Sequence, residues 1–77
     1  MVIKSLSELE PGTKGQIVKV GGRGKIRQRL LDMGVVAGTR VEVQRSAPLG
    51  DPLEIRIKGY NLTLRKAEAA DIKVELT

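Results

Sequence analysis

From Arg40 onward the apolar residues fall at every second position, and this period of two governs what the chain can become. Val41 and Val43 alternate with Glu42 and Gln44. Leu53, Ile55 and Ile57 alternate with Glu54, Arg56 and Lys58. Leu62 and Leu64 alternate with Thr63 and Arg65, and Ile72, Val74 and Leu76 with Lys73 and Glu75. Side chains on a strand point alternately to its two faces, so each segment reads as a strand with one buried face. Thr13 to Val20 adds another strand, with Ile17, Val18 and Val20 as its apolar members. Its alternation is imperfect, which predicts a bulge or strong bend that Gly15 would tolerate. Five short strands in 77 residues predict a closed or nearly closed barrel, because closure removes exposed edges.

The connections follow from local chemistry. Ser5-Leu6-Ser7-Glu8 fits a capping box. The helix it opens is short, because Pro11-Gly12 stops it. Leu6 and Leu9 share a face and dock together as a plug on the barrel. Gly21-Gly22-Arg23-Gly24 breaks the chain as a flexible turn. Lys25 to Met33 is the clearest helix, with Ile26, Leu30 and Met33 at i, i+4 and i+7 as its buried stripe. Gly34 ends it as a left-handed cap. Ala47 to Pro52 is a loop held rigid by two prolines. Gly59-Tyr60-Asn61 makes a tight hairpin, and Ala67 to Asp71 gives a single helical turn.

Charge is the main functional signal. The formal net charge is +5, from 14 basic and nine acidic residues. Lys14, Lys19, Arg23, Lys25, Arg27 and Arg29 lie between Pro11 and Leu31 with no acid among them. The remaining basic residues nearly balance the acids. A local positive field of this kind fits an anionic partner: an acidic protein face, nucleic acid or anionic lipid. The same charges also suit a solvated helix face and strand. Both readings stay open at the level of sequence.

Other chemistries find little support. There is no cysteine and no histidine, so the soft and imidazole ligands of most transition-metal sites are missing. No cofactor is implied. A nucleophile–base pair would have to come from Ser or Thr with Lys or a carboxylate, and no such spacing stands out. An enzyme is not expected. Gly21 to Lys25 resembles an anion cradle before a helix, but the spacing of a Walker loop is absent. Nucleic-acid binding has the charge but only one aromatic residue, Tyr60, for stacking. Phosphate contacts alone would have to carry it. The opening residues do not form a signal peptide, and no segment is apolar for long enough to span a bilayer. The lack of cysteine fits a reducing compartment.

Two segments carry a family resemblance. Arg27-Gln28-Arg29-Leu30-Leu31-Asp32-Met33-Gly34-Val35-Val36-Ala37-Gly38 is similar to the basic helix of the FeoA family and the Leu-Gly-Leu-x-Pro-Gly-like turn that follows it. Arg45-Ser46-Ala47-Pro48-Leu49-Gly50-Asp51-Pro52 is similar to that family's proline loop, and its Ala-Pro-Leu-Gly-Asp-Pro string is specific. Leu64 to Ala69, together with Leu6, Leu9, Pro11 and Gly12, extends the match over nearly the whole chain. Ala37 departs from the usual proline, and Met33 and Val36 replace common leucines, keeping size and polarity.

The resemblance implies a mainly β fold: one SH3-like FeoA-type domain over residues 1–77. Its barrel would have about five strands, a short N-terminal helix and a second helix inserted after the first strand. It further implies a cytoplasmic accessory of ferrous-iron uptake, acting by contact with a FeoB-type permease whose soluble part contains a GTPase. Similar domains occur at the C-termini of iron-dependent repressors. The candidate contact residues are Arg23, Lys25, Arg27, Leu30, Leu31, Pro48 and Leu49. A small basic barrel that binds nucleic acid through phosphates is the alternative.

Overall fold

A computed structural model describes residues 2–77. The elements run β1 (Ile3–Ser5), a 3-10 turn (Leu6–Glu8), β2 (Lys14–Val20), α1 (Gly24–Asp32), β3 (Arg40–Ser46), β4 (Leu53–Ile57), β5 (Tyr60–Leu64), α2 (Lys66–Ala70) and β6 (Ile72–Leu76). The strands form one antiparallel sheet in the order β1-β6-β2-β3-β4-β5, curled around a single apolar core. The five expected strands are all present. The additional strand β1 is three residues long and pairs with β6. It escapes a pattern search because three residues are too few to show a period.

The alternation in the second half is realised directly. Val41, Val43, Leu53, Ile55, Ile57, Ile72 and Val74 are buried, while Arg40, Arg56, Lys58 and Lys73 are exposed. Leu6 and Leu9 enter the core as the expected plug. The predicted capping box is present, and in it the Ser5 amide donates to Glu8 Oε1 at 3.3 Å. The Ser5 hydroxyl also donates to the Ala70 carbonyl at 3.1 Å and accepts from Lys73 Nζ at 2.9 Å. That couples the turn to α2 and β6.

Three local expectations change. The irregularity in β2 falls between Ile17 and Lys19, so Val18 is the bulged residue and its side chain is exposed. Gly15 lies in a regular stretch and is needed for close packing on β6. The β4–β5 turn is Lys58-Gly59, both at positive φ (51° and 84°), which places Tyr60 and Asn61 in β5. Two residues at positive φ suit the right-handed twist of a hairpin. Ile26, predicted in the buried stripe of α1, is 51% exposed. Leu30 is fully buried, and Leu31 and Met33 pack partly buried against the core. The helix packs apolar side chains on the barrel only through its C-terminal half, so the stripe is correct in phase but Ile26 in its first turn lies beyond the barrel wall.

Candidate functional site

Every residue from Gly22 to Arg29 is exposed, so the first two-thirds of α1 are bounded by solvent. Its C-terminal end is held firmly. Leu30 fills the core, the Val35 amide donates to the Leu30 carbonyl at 2.9 Å, and the Tyr60 hydroxyl donates to the Met33 carbonyl. Gly34, at φ 91°, makes the predicted left-handed exit.

The cations of α1 divide into two groups. Arg27 Nε donates to the Val20 carbonyl at 3.3 Å, laying its side chain along the end of β2. Arg29 pairs with Glu68 of α2 at 3.1 Å. Arg23 and Lys25 have no ion pair or side-chain hydrogen bond among the described residues. Lys14 stands at the far end of β2, so the basic segment does not form one patch. Lys14 and Lys19 on β2 are likewise unpaired among the described residues, and Arg23 and Lys25 are the unengaged cations that flank the exposed Ile26.

The other candidates fall as follows. Leu30 is fully buried, as its place in the apolar stripe predicts, and so offers no surface for the contact role also given to it: its position one turn past Ile26 brings it under the barrel wall. Leu31 is half-buried beside it. Pro48 is exposed, and Leu49 is 88% exposed at the tip of its loop. Hydrogen bonds tie the loop at its base. The Ala47 amide bonds the Pro52 carbonyl at 3.0 Å, and Asp51 Oδ1 accepts the Lys66 amide at 3.1 Å, tying the loop to α2. The glycine turn before α1 is partly spoken for, because the Gly21 amide donates to the Asp71 carbonyl at 2.6 Å. Tyr60, the one aromatic residue of the chain, has its hydroxyl held on the Met33 carbonyl just past α1, and a single aromatic makes no row of faces for stacking bases.

Sequence reasoning missed Ile26 as an exposed apolar residue and Arg29 as an internal tie. A signal for the first was available: Ile26 sits between Lys25 and Arg27, next to a glycine-rich turn that offers nothing to pack against.

Six antiparallel strands curled around one core, with a basic helix inserted between the second and third, define a small SH3-like barrel. This chain belongs to the FeoA family, whose FeoA domain matches residues 4–76. It is 51% identical over 71 residues to an Fe(2+) transport protein A/Fe(2+) transporter FeoB fusion protein of Porphyromonas gingivalis. The match covers 92% of this chain but only 8% of the length of that fusion protein. A crystal structure of an iron uptake regulatory protein, FeoA, superposes with a TM-score of 0.90 at 32% identity, covering 99% of this chain and all of the other. Stenotrophomonas maltophilia FeoA, crystallised with zinc and described as a procaryotic SH3 domain protein, superposes with a TM-score of 0.79 at 30% identity. That match covers 91% of this chain and 87% of the other. No helix among the described residues is long and apolar enough to cross a membrane.

Proposed function

We propose that this chain is an accessory of ferrous-iron transport that works by binding the cytoplasmic part of a FeoB-type transporter. The fusion in Porphyromonas gingivalis carries this reading: a sequence 51% identical to this chain is joined there to a FeoB transporter in one polypeptide. Covalent linkage raises the effective concentration of two partners, which serves a function only if they meet. The α1 surface supports the reading. Ile26 is an exposed apolar residue among cations, and an apolar anchor with a charged surround is a common layout for a protein contact. Arg23 and Lys25 supply charge that no internal acid neutralises.

The test is retention of the transporter on the tagged chain, using detergent-solubilised membranes of the same organism, together with ferrous-iron uptake in cells lacking the chain. Retention with impaired uptake supports the reading. Normal uptake without the chain, or no retention, refutes it. Retention of nucleic acid with a steep salt dependence instead would favour the phosphate-binding alternative.

A further inference from the structure

The barrel is not closed: β1 and β5 are the two ends of the sheet order and do not pair with each other. The two edges are unequal. In β1, three residues long, the Ser5 amide is taken by Glu8 Oε1. In β5 the ladder sets Ile57 opposite Tyr60, Ile55 opposite Leu62 and Leu53 opposite Leu64. A two-residue hairpin turn is closed by a hydrogen-bonded pair, and antiparallel pairs then alternate between bonded and non-bonded. Asn61 and Thr63 are the non-bonded positions. Their N–H and C=O groups point away from β4, and no group among the described residues meets them.

Two clefts converge on this edge. One, of about 390 Å³, is bounded by Arg29, Pro52, Thr63, Arg65 and Glu68. The other, of about 200 Å³, is bounded mainly by Ala47, Pro52, Leu53 and Thr63, with Arg45 and Glu54 at its rim. Pro52 and Thr63 line both, so the two clefts adjoin near the end of β5. The wall of the first cleft is rich in unused donors. Each oxygen of Glu68 accepts one bond, Oε1 from the Arg65 amide at 3.0 Å and Oε2 from Arg29 at 3.1 Å. Arg29 spends one nitrogen on that bond, and Arg65 meets Asp51 only at 4.0 Å. Free backbone amides beside spare guanidinium N–H groups call for a ligand of acceptors, meaning strand carbonyls and carboxylates.

We propose that β5 takes up an extended acidic segment of the transporter partner as an added strand. The segment's carbonyls would accept from Asn61 and Thr63, its carboxylates would face Arg29 and Arg65, and an apolar residue would enter the cleft at Ala47, Pro52 and Leu53. Main-chain bonds supply affinity in strand addition, and the flanking pockets supply selectivity. A second copy of this chain is a poorer occupant, because two chains of net charge +5 repel and the cations beside the edge discourage self-pairing. The inference rests on the protein-contact reading above and names a surface separate from the first turn of α1.

Proline is tolerated on an edge strand where the lost N–H faces outward. Thr63→Pro therefore removes one outward donor and leaves the β4 ladder whole, while Thr63→Val keeps the donor and removes the hydroxyl. Binding of the full chain to its detergent-solubilised FeoB-type transporter should fall at least about tenfold for Thr63→Pro and stay near wild type for Thr63→Val. In wild-type chain the amides of Asn61 and Thr63 should exchange with solvent markedly more slowly when the transporter is bound. This second readout decides the matter if Thr63→Pro does not fold. Wild-type affinity in a folded Thr63→Pro, or unchanged exchange at both amides, overturns the inference and leaves the transporter reading standing. Slowed exchange in the chain alone at high concentration, with a doubled mass, overturns it in favour of a β5–β5 dimer. Failure of the wild-type chain to bind the transporter overturns both.

Discussion

Gly15 of β2 lies directly against Val74 of β6: a β-carbon at Gly15 would come within 2.5 Å of Val74 Cγ1 and 2.6 Å of the Glu75 carbonyl oxygen. The second contact is backbone, held in the β2–β6 ladder, so it cannot turn aside as a side-chain end could. Gly15→Ala should destabilise the barrel by about 1–3 kcal/mol, the usual cost of overpacking a filled site. For a chain of this size that lowers the melting temperature by roughly 4–8 °C per kcal/mol. Thermal unfolding followed by circular dichroism measures it. An unchanged midpoint would mean that β6 moves freely away from β2.

Leu30 and Ile26 sit one turn apart on α1 and should respond oppositely to truncation. Leu30→Ala opens a cavity in the core and should cost about 2–5 kcal/mol. Ile26→Ala removes an exposed side chain and should stay within about 0.5 kcal/mol of wild type. Leu31→Ala, half-buried at the core margin, should fall between them. If α1 contacts the partner, Ile26→Ala weakens binding at unchanged stability. Chemical denaturation beside the retention assay separates these effects, and a large loss of stability for Ile26→Ala would contradict its placement.

Reversing Arg23 and Lys25 to Glu should slow association with an acidic partner and flatten its salt dependence, with little change in dissociation. Stability should hold, since neither side chain has a partner among the described residues. Arg27→Glu should differ by also losing the bond to the Val20 carbonyl, giving a modest fall in melting temperature. Association kinetics across a salt series test the set. Identical rates for the double reversal and the wild type would assign these cations to solvation alone.

Ferrous iron and zinc should bind no more tightly than to scattered carboxylates. The chain has no His or Cys, and no group of three or more potential ligand residues gathers among the described residues. Oxygen ligands alone discriminate poorly among transition metals and need several donors at one point. Isothermal calorimetry should show no stoichiometric submicromolar site, and detection of one would refute this expectation.

The strands from Arg40 onward were legible because each buries one face, which makes a period of two obligatory in the residues themselves. Val41, Val43, Ile55 and Val74 point inward as the pattern demands. Positions where tertiary geometry decides were not legible. Val18 and Ile26 are as apolar as their buried neighbours, and only the bulge in one case and the standoff of α1 in the other turn them outward. Leu30 and Leu31 differ by one helical step, about 100°, and the packing of α1 on the barrel assigns them different burial. Arg27 and Arg29 read as a charged face until Val20 and Glu68, distant in sequence or on another element, arrive beside them. The candidate surface was legible in composition and chain position, but not in which of its cations remain unspent.

Because α1 is seated by its C-terminal end and held nearer its start only by the Arg27 bond to the Val20 carbonyl, it acts on the barrel as a lever whose fulcrum is Leu30. A partner that grips the helix in its present pose also holds that plug in place, so the grip and the integrity of the core are thermodynamically linked. The converse follows: loosening Leu30 lets the helix tilt and disperses the surface it carries, weakening a partner that never touches Leu30. A wholly buried leucine in this fold can therefore register first as a defect in association.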